Sequence, residues 1–150
     1  MTLLAIDPGA STGWAIFSDD GELVRCCQGN PPISWFGCIP SKVLIERPQV
    51  YPRSKVPPND LITLALLAGR YEERFDRMGS VVEYILPHAW KGTLDKAIVH
   101  ERMWVKLNPR EQAAIHKGGV GVPPKKREDM LDACAMGKVH WGGLHLTGQK

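Results

Sequence analysis

The sequence contains no apolar run approaching the roughly 18 residues that a membrane-spanning helix needs. Its opening, MTLLAIDPGA, has neither the basic start nor the long apolar stretch of a secretory leader. These absences lead us to expect a soluble, cytoplasmic protein with no membrane contact. Cysteine is scarce: Cys26, Cys27, Cys38 and Cys134 include an adjacent pair but no C-x-x-C, so neither a zinc site nor a disulfide framework has its expected spacing. Buried free thiols are the expectation instead. The five histidines contain no H-x-x-x-H pair. A metal in this protein is therefore expected to be held by oxygen.

What is present suffices for one domain. The 150 residues are 43% hydrophobic, enough for a single real core, and we expect one domain over residues 1–150. The net charge of +3 is unevenly spread. Residues 1–50 hold three Lys/Arg against five Asp/Glu, residues 51–100 seven against six, and residues 101–150 nine against five. The basic excess gathers around Lys117, Lys125, Lys126 and Arg127. Either a solvated face or a surface for a phosphate backbone follows from that clustering.

The hydrophobic pattern predicts a mixed α/β sheet. TLLAIDPG and GWAIFSDDGELVRCCQG read as three strands of an antiparallel meander, the second and third joined by Asp-Asp-Gly. SKVLIERP supplies a buried strand around Val43 to Ile45. The Pro-rich YPRSKVPPND reads as a loop, with Asn59 or Asp60 capping a helix that closes at Gly79. SVVEYILP is a further strand, a turn and a helix from about Thr93 follow, and Asn108 and Pro109 open another helix. The stretch GGVGVPPKKR reads as flexible and basic, and leads into a last helix. Three strands in a meander followed by alternating strands and helices argue for a mixed sheet flanked by helices.

Within that frame four acids stand out. Asp7 and Glu46 close apolar strands, and Asp129 and Asp132 lie three residues apart in EDMLDACA, hence on one helix face. Lys42 and Lys125 stand four residues before Glu46 and Asp129, but Asp7 and Asp132 have no basic residue four away on either side. Carboxylates gathered near a core need compensation, and hard divalent ions such as Mg²⁺ or Mn²⁺, which prefer oxygen ligands, would provide it. Blander readings exist for each. Asp7 before Pro-Gly suits a turn, Glu46 has Arg47 and Arg53 nearby, and Glu128 and Asp129 favour a helix start. Asp132, flanked by Leu131 and Ala133, is hardest to account for in those terms. Glu128 also rivals Asp129, because residues 128 and 132 share a helix face equally well.

Together, LLAIDPGASTGWAIF, VLIERP, P-x-x-W-K-G with a lysine shortly after, and D-x-x-D-A-C-A resemble, in order and spacing, the motifs of RuvC-like Holliday junction resolvases of the ribonuclease H-like superfamily. The individual motifs are short, and their ordered set spans nearly the whole chain. The resemblance implies a five-stranded mixed sheet, a homodimer, and an endodeoxyribonuclease that nicks four-way DNA junctions symmetrically with two Mg²⁺ ions per site, Mn²⁺ substituting, leaving 5′-phosphates. It carries catalytic and metal-binding roles to Asp7, Glu46, Asp129 and Asp132, with Asp7 bridging the ions. DNA contacts fall to Lys91 and Lys96, and more loosely to Tyr51, with Lys125, Lys126 and Arg127 added from the basic cluster. The Pro-rich insertion after Glu46 departs from the family pattern, and with the compact chain it inclines us toward a phage source. One rival reading follows from D-P-G-x-x-x-G, which resembles a phosphate loop of the actin and sugar-kinase superfamily. Those folds enclose a nucleotide between two such domains, so no nucleotide cofactor is expected here.

Overall fold

The computed structural model of the chain describes residues 2–34, 37–50 and 56–142. Five strands, β1 (Leu3–Asp7), β2 (Gly13–Phe17), β3 (Leu23–Gln28), β4 (Lys42–Glu46) and β5 (Val81–Ile85), form one sheet in the order β3-β2-β1-β4-β5. β1, β2 and β3 are the antiparallel meander, while β4 and β5 run parallel to β1. This is the mixed sheet that the pattern predicts. The Asp-Asp-Gly connection closes as a tight hairpin, with the Ser18 amide donating to the Glu22 carbonyl (2.9 Å) and Gly21 at a positive φ of 79°.

β1 and β2 are buried along their whole length because helices cover both faces of the sheet, which explains apolar runs in place of alternation. One face carries α1 (Pro58–Asp76), whose Ala68, Tyr71 and Phe75 meet Leu4, Ile6, Trp14, Ile16, Val43 and Ile45. The other carries α2 (Pro87–Lys91), α3 (Lys96–Lys106), α4 (Pro109–Gly118) and α5 (Glu128–His140), which bury Trp90, Val99, Met103, Ile115 and Met130 against Leu3, Ala5, Phe17 and Leu44. β5 is the exposed edge, and Glu83 there pairs with Lys42 of β4 at 2.9 Å.

Several boundaries differ from the expectation. Neither Asn59 nor Asp60 caps α1; the helix starts at Pro58, which is favourable in a first turn because it lacks the unsatisfied N–H. The helix ends at Asp76, and Gly79 with φ 86° turns the chain three residues later. The turn before Thr93 contains the short α2, and α3 begins at Lys96 with Asp95 capping the Ala97 amide (2.9 Å). The stretch expected to be flexible is partly ordered: a 3₁₀ turn spans Pro124–Lys126, and Arg127 Nε donates to the Val122 carbonyl (2.8 Å). All four thiols are free, but only Cys26 and Cys134 are buried; Cys38 is exposed. No helix among the described residues is long and apolar enough to cross a membrane.

Candidate active site

Strand geometry alone brings Asp7 and Glu46 together. Side chains alternate along a strand, so Asp7 continues the series of Leu3 and Ala5 on the α5 side, and Glu46 continues that of Leu44. Ile6 pairs with Ile45 across the parallel ladder, which makes Asp7 and Glu46 neighbours one rung further on. Both therefore reach the same end of the sheet on the same face.

The start of α5 descends onto that end because β2 offers a glycine there. Gly13 is the register partner of Asp7, and a Cβ at Gly13 would lie 2.0 Å from the backbone carbonyl of Asp129. Only the bare backbone allows this approach. Gly9 plays the same part for the side chain, since a Cβ there would stand 2.7 Å from Asp129 Oδ2. The turn holding Gly9 is fixed by Thr12, whose amide and hydroxyl both donate to the Gly9 carbonyl (3.1 and 3.0 Å) and whose hydroxyl accepts from Tyr71 (3.1 Å). Asp129 thus faces the strand ends, whereas Glu128 is exposed. Of these two acids, Asp129 is the one packed against the turn after β1.

The electrostatics of the four acids are unequal. Burial pushes the Asp7 carboxyl well above the usual range, and Glu46, Asp132 and Asp129 push it further by like-charge repulsion. No hydrogen bond from the described residues relieves it. Burial also raises Glu46, against the pull of the Trp90 indole N–H, which donates to Glu46 Oε2 at 2.8 Å. Asp129 is raised by burial, partly countered by Lys96. Asp132 goes the other way: burial would raise it, but His100 and Lys96 hold it below the ordinary carboxylate value. His100 Nε2 donates to Asp132 Oδ1 at 2.7 Å, and the Lys96 ammonium contacts Oδ2.

That pairing corrects the expectation that metal alone, and no lysine, would compensate these aspartates. No partner exists on α5 itself, but α3 supplies two. Lys96, to which the resemblance gives a DNA contact, meets Asp132 in this structure while 40% of its side chain stays exposed. Lys91 is half-buried over the Trp90 ring, 5.4 Å from its centroid, beside Glu46. Lys125 and Lys126 are exposed, and Arg127 is half-buried through its bond to Val122. Tyr51 and Arg53 lie outside the described residues. Sequence reasoning missed Trp90, His100 and Gly13. The P-x-x-W-K-G motif contains the first, but nothing in its spacing says that its indole meets Glu46, 44 residues away.

Among the described residues no three His, Cys, Asp or Glu side chains are arranged to grip one ion as they stand. The donor set nevertheless fits a hard divalent cation: it is all oxygen, and Asp7 is buried among like charges with no hydrogen-bond donor among the described residues.

No protein-family model and no curated protein matches the sequence. Among solved structures the chain is similar to Thermus thermophilus RuvC in complex with a Holliday junction substrate, at 16% identity, 95% of this chain, 98% of that chain and a TM-score of 0.51. It is also similar to the fowlpox virus Holliday junction resolvase, at 14% identity over 95% and 98% of the two chains, with a TM-score of 0.55. At these identities the likeness speaks to the backbone: this chain has the ribonuclease H-like fold of those resolvases, a five-stranded mixed sheet flanked by helices, over nearly its whole length.

Proposed function

We propose that the chain is a metal-dependent endodeoxyribonuclease that nicks four-way DNA junctions symmetrically, leaving 5′-phosphates. The observation that carries this reading is the convergence of Asp7, Glu46, Asp129 and Asp132, from three separate elements, at one end of a sheet shared with junction resolvases. These residues would hold two Mg²⁺ or Mn²⁺ ions, and Asp7 is the acid that burial and like charges burden most. When bound, such ions supply ionised water at neutral pH and neutralise charge on the phosphodiester being cut.

The chain's own side chains prepare the site. Trp90 fixes one oxygen of Glu46, and His100 fixes one oxygen of the Asp132 carboxylate. Lys91, at the rim beside Glu46, and the exposed Lys125 and Lys126 offer cations to the phosphate backbone.

A homodimer would set two such sites across a two-fold symmetric junction. Ala65, Ala68 and Gly69 form a small-residue ridge on α1 that suits a helix contact, but Ala68 is already buried in the monomer core. The exposed Ile62 and Leu66, one turn apart on α1, support the dimer contact better. A mass measurement in dilute solution that finds only monomer would remove it.

The reading is tested with labelled four-way junction, linear duplex and flap substrates, each with Mg²⁺, Mn²⁺ or chelator, for the wild type and Asp132→Asn. Symmetric metal-dependent nicks on the junction, lost in the variant, are expected. Cutting without junction preference would assign the site to a less selective nuclease of branched DNA or RNA. No cutting with any metal would reduce the protein to a silent DNA-binding module.

A further inference from the structure

Among the described residues Asp132 differs from the other three acids in forming ion pairs within the protein. Both of its carboxylate oxygens are engaged by α3, Oδ1 by His100 and Oδ2 by Lys96. The Lys96 ammonium also lies within electrostatic reach of Asp7, Glu46 and Asp129, so its charge acts on the whole cluster. A divalent cation seeking the same oxygens would be repelled by an ammonium in contact with one of them. Both cannot hold that position together.

The two basic groups on Asp132 are not equivalent. Lys96 stands in the first turn of α3 on a flexible four-carbon stem, and 40% of its side chain is exposed, so it has a path to solvent. His100 is one turn further along, 15% exposed, and binds the opposite oxygen. Its short ring has no comparable freedom.

Resting on the metal reading above, we propose that Lys96 is an exchangeable internal counter-ion: it neutralises the acid cluster in the metal-free protein and withdraws when a divalent ion binds, while His100 stays on Asp132 as a positioning residue. Withdrawal carries the Lys96 ammonium toward the solvent mouth of the site, where the phosphate backbone of bound DNA is the anion available to it. Metal binding and DNA binding then reinforce each other through one side chain.

The test is calorimetric titration with Mn²⁺ in the absence of DNA, paired with thermal unfolding in chelator, for the wild type, Lys96→Gln, Lys96→Met, Lys96→Arg and His100→Ala. Lys96→Gln should bind Mn²⁺ about tenfold more tightly, the scale on which groups around metal ligands move affinity, and should melt lower in chelator. Lys96→Met keeps the apolar stem and should change in the same directions, so the result does not depend on one variant folding well. Lys96→Arg keeps the charge and should not tighten binding; His100→Ala should weaken it. General disruption would weaken binding in every variant, which makes the opposite signs at residues 96 and 100 diagnostic. Saturable Mn²⁺ binding by the wild type that is unchanged or weaker in both Lys96→Gln and Lys96→Met would overturn the exchange while leaving the metal reading intact. No saturable binding by the wild type or by any variant would overturn both.

Discussion

Glu111 and Asp7 are both nearly shielded from solvent, at 2% and 6% exposure, on the same side of the sheet, yet they are treated in opposite ways. Glu111 has a full set of partners. It accepts the Leu23 amide (2.8 Å) and the Asn108 amide (3.0 Å), and it is paired with Lys138, so it ties α4 to β3 and α5. Asp7 accepts no hydrogen bond from the described residues and faces three further carboxylates. Burial of an acid is common to both and so identifies neither. Between these two the difference is that the fold itself compensates Glu111, which serves as a structural tie, and leaves Asp7 to the cations proposed above.

Substitutions at the two acids should therefore separate stability from activity. The largest effect is expected at Glu111: Glu111→Gln breaks a buried charge pair and strands Lys138, at a cost of about 3–5 kcal/mol in chemical denaturation. Cleavage per folded molecule should survive. A stable Glu111→Gln protein would mean that the network is dispensable.

Asp7→Asn should do the reverse. Junction cleavage should fall by about 10²-fold or more, the scale of losing one preorganised electrostatic group, while the metal-free protein becomes more stable. The pH dependence follows from the direction of the shift. A carboxyl whose folded pKa is raised binds more protons when native, so its contribution to stability falls as pH rises from its ordinary 3.8 through the elevated value. In chelator, wild-type stability should decline over that interval, and Asp7→Asn should flatten the decline. A variant less stable than the wild type at neutral pH would place Asp7 with Glu111.

Gly13→Ala probes the approach of α5 to β2, and with it the distance of Asp129 from Asp7. The added methyl would meet the Asp129 backbone, and relieving that clash should cost about 1–3 kcal/mol. Activity should fall together with thermal stability. Unchanged cleavage would show that the cluster tolerates a displaced helix start. The smallest effect is expected from Lys126→Ala, which touches neither acid: the slope of log affinity for junction DNA against log salt should drop by about 0.9. An unaltered slope would make the basic turn solvated surface.

Much of the frame was legible beforehand. The five strands and their mixed arrangement follow from apolar runs and turn residues, and Asp7 and Glu46 announce themselves by ending such runs. Asp132 is legible for the converse reason, a charge set in an apolar helix segment. Glu111 was invisible because its capping role with Asn108 is local and ordinary, while its buried partners lie 88 residues back and 27 residues ahead in the chain. Lys96 was noticed through the resemblance as a DNA contact, but its pairing with Asp132, 36 residues ahead, has no local signal.

By itself, then, the sequence determined the strands and the longer helices, and it marked Asp7, Glu46 and Asp132 as acids set against apolar runs, because periodicity and turn chemistry act over a few residues. Only the tertiary structure decided what those acids meet. Whether Asp132 finds Lys96 and His100, Glu46 finds Trp90, or Glu111 finds Lys138 depends on how α2, α3, α4 and α5 lie against the sheet. Compensation of a buried charge falls off with distance in space, and no local pattern encodes distances between segments that meet only when the core closes.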